Sequence, residues 1–296
     1  MPVVGVLRSG AGEPFNSTFR SALAGMGYVD GRNIRYLERE AMGSGEDLDA
    51  LAEELVRAQV DVIVALAPPA AVAAKRATRS IPVVAVAIGD PVASGLVTSL
   101  ARPEGNVTGS TRMLTEMSVK HVELLKQMAP GTSRLAVMFN PANSSHPPAL
   151  RAIEAAARPL GIEVRPYEVR GSEALSRTLP SLPLDRANGL AFLADPEFGS
   201  QQAMIAKFAL ENRIPSICNY TEFPKAGGLA GYAPDILDEF RSTAEYVDRI
   251  LKGAKPGDLP VRQPVTFELV VNLRTARTLG LRIPAEVLVR ANQVIE

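Results

Sequence analysis

Acids, amides and hydroxyls gather in this chain just after short apolar runs. Asp90 stands in "GDPVASGLVTSLARPEGNVTG" (Gly89–Gly109), directly after "IPVVAVAI" (Ile81–Ile88). Asp195 repeats the Asp-Pro pattern after "GLAFLA" (Gly189–Ala194), and "NPANSS" (Asn140–Ser145) follows "RLAVMF" (Arg134–Phe139). These types and positions suit a charged small molecule. A carboxylate pairs with an ammonium group. Amides, hydroxyls and helix N-termini receive a carboxylate. Each also has a plainer use. Asp is a favoured cap, so Asp90 is read first as the cap of a helix beginning near Val92, and Asp195 equally as cap and as ligand partner. Arg8 either neutralises an acidic ligand or is a solvated surface arginine. Phe15, Tyr220 and Tyr232 are candidate apolar walls, each, taken singly, read first as packing.

Covalent and metal chemistry find less support. "VASGL" (Val92–Leu96) is not a Gly-x-Ser-x-Gly elbow. No phosphate-binding Gly-x-x-x-x-Gly-Lys-Ser/Thr run exists. "SGAGEPF" (Ser9–Phe15) lacks the third glycine of a dinucleotide fingerprint and reads as a flexible turn feeding a helix. The histidines are His121 and His146; the latter, in "NSSHPP", reads as a solvated loop residue. With Cys218 as the one cysteine, a His/Cys metal cluster lacks ligands and no intrachain disulfide is possible. No cofactor is expected. A net charge of zero argues against nucleic acid as a partner. No apolar run reaches a membrane span. Asn106-Val107-Thr108 matches a glycosylation acceptor, with nothing else in its favour.

The elements that must position these residues alternate. Strands are expected at Val3–Leu7, Val60–Leu66, Ile81–Ile88, Arg134–Phe139, Ile162–Val169, Gly189–Ala194 and Ile214–Cys218. Helices are expected at Asn16–Met26, Glu46–Gln59, Pro69–Thr78, Val92–Leu100, Glu116–Met128, Pro147–Leu160, Ser200–Asn212 and Asp235–Lys252. Alternating strands and helices mean parallel sheets covered on both faces. With 296 residues and about ten strands, two lobes are expected rather than one sheet. The boundaries fall at 1–113 plus 234–258 and at 114–233 plus 259–296, with Glu116–Met128 bridging them. Ligands of doubly wound sheets sit beyond the carboxyl ends of the strands. That rule selects Arg8–Phe15, Ala67–Pro69, Gly89–Val92, Thr108–Thr111, Asn140–His146, Asp195–Gly199, Asn219–Phe223 and Tyr232–Asp235.

Gly89–Gly109 resembles a signature of the ABC-transporter substrate-binding proteins related to the tryptophan and aromatic amino-acid binders. "GYVDGRNI" (Gly27–Ile34), "KAGGLAGYAPD" (Lys225–Asp235) and "YVDRILKGAKPGDLPVRQPVTFELVVNLRTARTLGLRIP" (Tyr246–Pro284) are similar to further motifs of that family. The resemblance implies a periplasmic-binding-protein fold, two α/β lobes around a ligand cleft. It implies a receptor that closes on its solute about a hinge, with a permease and its ATPase as partners and no catalytic step. A periplasmic monomer follows, lacking its signal segment here and either free or lipid-anchored. The expected ligand set is Arg8, Ser9, Phe15, Ala67, Pro68, Asp90, Pro91 and Thr108 from the first lobe. The second lobe adds Asn140, Ser144, Ser145, Asp195, Asn219, Tyr220 and Tyr232. Three departures concern the solute. Ala67 replaces a hydroxyl, Arg8 replaces a small or polar residue, and Gly231 stands where serine is frequent. They suggest a small organic acid, aromatic ones included, rather than a standard amino acid; the expectation is a carboxylate-bearing solute of either kind. The competing readings are the effector domain of a regulator, which would need an N-terminal helix-turn-helix, and an α/β enzyme, which would need an activated nucleophile or base.

Overall fold

The computed structural model of the chain describes residues 1–9, 13–41 and 47–296, except the side chains of Ser9 and Ser172. The turn residues Gly10, Ala11 and Gly12 lie outside the described residues. The chain opens with β1 (Val3–Ser9), α1 (Phe15–Gly25), β2 (Arg35–Ala41), α2 (Leu48–Arg57), β3 (Val62–Leu66), α3 (Ala67–Ala77), β4 (Val83–Ile88) and β5 (Val107–Thr111). It continues with α4 (Leu114–Met128), β6 (Arg134–Phe139), α5 (His146–Ala157), β7 (Glu163–Glu168), α6 (Ser172–Thr178), α7 (Ser181–Leu184) and β8 (Gly189–Phe192). Then come α8 (Pro196–Ser200), α9 (Gln202–Glu211), β9 (Ser216–Cys218), β10 (Ala230–Pro234), α10 (Ile236–Leu251), β11 (Phe267–Asn272), α11 (Leu273–Thr278), α12 (Ala285–Arg290) and β12 (Gln293–Ile295). Two compact units result: Met1–Met113 with Asp235–Pro264, and Leu114–Pro234 with Val265–Glu296. Helix α4, expected to bridge the lobes, lies wholly within the second unit.

In the first unit the sheet order is β2-β1-β3-β4-β5, all parallel. Successive side chains of a strand point to opposite faces. Leu7, Ile63, Ala65, Val83 and Ala85 therefore pack on one face with Leu55 of α2 and Ala70–Ala74 of α3. Val4, Val6, Val62, Val64, Val84 and Val86 face the other way, onto Phe15 and Phe19 of α1 and Phe240 and Val247 of α10. Burying one such aromatic contributes about 1.5–3 kcal/mol. The second unit repeats the plan in the order β12-β11-β10-β9-β8-β6-β7. It is parallel except at β10–β11. Leu135, Val137, Phe139, Ala191 and Ile217 cover one face; Ala136, Met138, Leu190, Phe192 and Cys218 cover the other.

Several elements differ from expectation. No helix forms at Val92–Leu100. A turn closes instead, with the Gly95 N–H donating to the Val92 carbonyl at 2.9 Å and Gly95 at φ 68, a left-handed step that ends helical winding. The expected loop Thr108–Thr111 is strand β5, whose Thr and Gly residues carry little apolar signal. It is a strand because Gly109 (φ 140) lets it approach β4: a Cβ there would lie 1.8 Å from the Ala85 carbonyl oxygen. Strand β2, charged and only half-buried, is an edge strand that no apolar run announces. β11 and β12 also escape the apolar-run criterion. Among the described residues, no helix is long and apolar enough to cross a membrane.

Candidate functional site

In the second unit the chain order reverses between β6 and β8, which are hydrogen-bonded neighbours with β7 outside β6 and β9 outside β8. Such a switch point leaves a crevice beyond the carboxyl ends. Register aligns those ends: Met138 pairs with Phe192, and Phe192 with Cys218. The residues that follow, Asn140–His146, Leu193–Asp195 and Asn219–Tyr220, are therefore brought side by side.

Asp195 is the anion of this face and is 3% exposed. Its Oδ2 accepts from Asn140 Nδ2 at 3.3 Å and Asn143 Nδ2 at 3.0 Å, and its Oδ1 accepts from the Glu197 N–H at 3.1 Å. The last bond caps α8, as the capping reading of Asp195 expects. No cation pairs with it among the described residues. The Tyr220 hydroxyl accepts from the Asp195 N–H and donates to the Asp195 carbonyl, both at 2.8 Å. Its ring lies 6.3 Å from Phe192.

His146, expected to be solvated, is fully buried. The Asn140 N–H donates to its Nδ1 at 2.9 Å, so its Nε2 carries the proton and donates to the Ala194 carbonyl at 3.0 Å. The neutral ring thus ties the β6 loop to the β8 loop, and burial foremost holds its pKa below the ordinary value. Asn140 and Asn143 each fold back on their loop through Oδ1, accepting from the Ala142 and Ser145 N–H groups. Ser145 is fully buried at the start of α5.

Asn219 stands apart. It is fully buried, and neither its Nδ2 nor its Oδ1 has a partner among the described residues. The buried Ser144 hydroxyl is also unpartnered. Leaving such groups unmet costs roughly 1–3 kcal/mol each. A donor-and-acceptor amide and a hydroxyl, on the loops adjacent to the one that carries a buried carboxylate with amide partners, make an unfinished polar face. Tyr232 lies further along the sheet, on β10. Its ring stacks on Phe267 at 5.9 Å, and His121 Nε2 donates to its carbonyl at 2.7 Å. Burial lowers the His121 pKa to about 4.

In the first unit the reversal falls between β1 and β3. Arg8 ends up 6% exposed, its guanidinium held by Glu38 and Glu40 of β2, each at 2.7 Å. It is neither a solvated arginine nor a free cation. Burial works against its charge, but the two glutamates outweigh it and raise its pKa. Burial likewise works against the charge of Glu38; the hydrogen bonds from Arg8 and Arg20 outweigh it and lower its pKa. Phe15 is core, stacked on Phe19 at 5.0 Å and edge-on to Phe240 at 5.2 Å. Ala67 opens α3 at φ 67 with Pro68 buried behind it. Asp90 caps a turn rather than a helix, accepting from the Ala93 N–H at 2.9 Å, with Pro91 buried beside it. The Thr108 hydroxyl donates to the Leu259 carbonyl at 2.7 Å and is committed to that contact. Ser9 contributes its backbone to β1; its side chain lies outside the description.

Residues 7–295 match the family described as ABC transporter substrate binding protein. The chain belongs to that family. A tyrosine-binding protein of Clostridioides difficile is 29% identical over 264 residues, covering 89% of this chain and 76% of the relative. A conserved domain protein of Vibrio cholerae superposes with a TM-score of 0.91 at 28% identity, over 99% of each chain. The ABC domain of Streptococcus pneumonia in complex with L-Trp does so with a TM-score of 0.91 at 26% identity, also over 99% of each. The expected fold class, two doubly wound α/β lobes of the periplasmic-binding-protein kind, is borne out. As an ABC transporter substrate binding protein, the chain is a solute-binding receptor, with a small molecule and a permease as its partners. Asn143, His146, Glu38 and Glu40 are the residues that sequence reasoning underrated. Asn143 and His146 left a trace there, in the "NPANSS" run and the Asn140–His146 loop; Glu38 and Glu40 left none.

Proposed function

We propose that this receptor captures an α-amino acid, aromatic ones included, and that the polar face of the second unit reads its charged end. The carrying observation is Asp195: a buried carboxylate with amide partners and, among the described residues, no cation. A buried charge calls for a counter-charge, and a solute ammonium supplies it. Asn219 and Ser144 offer a donor-acceptor pair and a hydroxyl to the solute carboxylate. The tyrosine-binding relative and the L-Trp complex support the same class. Of the three departures behind the organic-acid expectation, Arg8 supplied the cation, and its guanidinium is already engaged by Glu38 and Glu40.

In this reading capture proceeds by hinge closure, because contacts made only in the closed state supply the differential affinity that shifts the population. The receptor works as a periplasmic monomer, free or lipid-anchored, hands its solute to a permease driven by an ATPase, and catalyses no step. A thermal-shift screen tests the solute class. The panel holds the standard amino acids, their deaminated aromatic carboxylates, short dicarboxylates and nucleosides. An amino acid at about 100 times its Kd adds roughly 2.7 kcal/mol and raises the midpoint by degrees. Deaminated carboxylates that bind as tightly as the amino acids would remove Asp195 from the recognition of charge.

A further inference from the structure

One carboxylate of the first unit has a position the solute reading does not use. Glu239 sits in the first turn of α10 and is 8% exposed. Its Oε1 accepts from the Ala87 N–H at 2.7 Å and the Ser110 hydroxyl at 2.5 Å, and its Oε2 accepts from Arg112 Nε at 3.2 Å. These donors surround an irregularity in the sheet. Ala85 pairs with Gly109, and Ile88 with Thr111, so Val86 and Ala87 of β4 oppose Ser110 alone. That is a β-bulge, a device that re-aims the chain next to functional sites. Ala87 lies in it at φ 60, a left-handed conformation that alanine holds only under constraint.

Glu239 supplies that constraint from outside the sheet. It takes up the Ala87 N–H on the bulged strand and the Ser110 hydroxyl opposite. Arg112, its ionic partner, sends its own N–H to the Ile88 carbonyl at 2.7 Å, and the Thr111 hydroxyl reaches the Gly89 carbonyl at 3.3 Å. The residues so fixed lead directly into Gly89, Asp90 and Pro91 at the carboxyl end of β4. We propose that Glu239 is a positioning residue for solute capture: it holds the bulged end of β4 so that the Gly89–Pro91 turn is presented in its binding geometry.

The inference rests on the receptor reading for affinity but not for positioning, and the test separates the two. Glu239→Ala, Glu239→Gln and the core control Val247→Ala of the same helix are compared with the unaltered protein. L-tryptophan and L-tyrosine are the calorimetric probes. Glu239→Ala weakens binding at least about tenfold beyond the control, while Glu239→Gln, which keeps an acceptor for Ala87, stays within about threefold. Without solute, the amides of Ala87–Asp90 exchange at least about tenfold faster in Glu239→Ala, while those of Val62–Leu66 do not change. If Glu239→Ala does not fold, Ser110→Ala, which removes one of the three donors, produces a graded version of both effects. Unchanged exchange, or faster exchange with the control's affinity, overturns the inference. If the unaltered protein binds neither amino acid, the solute assignment fails, and the exchange result still decides whether Glu239 holds the bulged end of β4.

Discussion

At the carboxyl end of the first sheet, Arg8, Arg112, Glu38 and Glu239 all have ionic partners, while Ala67 and Ala87 hold positive φ angles. At the same end of the second sheet the backbone is relaxed. There the non-glycine residues at positive φ, Arg186 and Arg213, precede β8 and β9, at the other end of the strands. The irregularity of the second unit is in its side chains: a buried carboxylate that no cation pairs among the described residues, and the unmet polar atoms of Asn219 and Ser144. The first unit thus stores strain in backbone while its buried charges are paired, leaving only Arg8 Nε and Ser94 Oγ unmet among the described residues; the second leaves the whole amide of Asn219 and the Ser144 hydroxyl open where the non-glycine backbone holds no positive φ. Strain aims a loop, whereas an unmet donor or acceptor awaits a partner. On the proposed reading, chemical recognition falls to the second unit and shape to the first.

Acid divides the two units most. Both histidines, His121 and His146, belong to the second unit and have lowered pKa values. Their contribution is fully present above the unfolded value of about 6.5 and is lost as pH falls towards 4. For His121 the loss is on the order of 3 kcal/mol. Glu197, whose pKa burial raises, opposes it in part. Glu38 of the first unit acts in a lower window: its depressed pKa adds stability above about 4.5 that is lost below it. Hydrogen exchange between pH 7 and 4 loosens the second unit first; simultaneous loosening would erase the contrast.

Asp195→Asn comes next. It keeps a cap for α8 but removes the charge, so amino-acid affinity falls about 100-fold, or about 2.7 kcal/mol, with little change in the unfolding midpoint. Calorimetry against a deaminated analogue shows whether the loss follows the ammonium. Gly231→Ser follows at about 2 kcal/mol of stability. A Cβ at Gly231 would lie 2.1 Å from the Tyr220 carbonyl oxygen, against the backbone that carries Asn219. Denaturant unfolding and affinity should both worsen.

Arg8→Met tests the first unit. It leaves Glu38 and Glu40 without their shared partner and costs about 1–2 kcal/mol of stability, discounted because both glutamates are about a quarter exposed. Affinity should stay within about threefold; a larger loss would make Arg8 a ligand contact. Smallest is Asn219→Leu, which removes two unmet groups and stabilises the solute-free protein by about 1 kcal/mol while it weakens capture. A lower midpoint would show that Asn219 is a structural residue.

Residue pattern by itself determined the parallel strands and their order along the chain. Seven apolar runs of strand length, separated by amphipathic stretches, permit little besides doubly wound sheets. It also located Asn140, Asp195 and Asn219 at strand ends, because period and length reveal where a buried strand stops. Tertiary structure decided the rest. Strands β2 and β5 exist because neighbours pair with them, not because their own residues demand it. Arg8 became a buried partner of Glu38 and Glu40 only when register set β1 beside β2. His146 became a buried tie, and Asn219 an unmet amide, only when β6, β8 and β9 lined up. Hydrogen bonds and burial are properties of pairs distant in sequence, so whether a polar residue is satisfied or left open is not written at its own position.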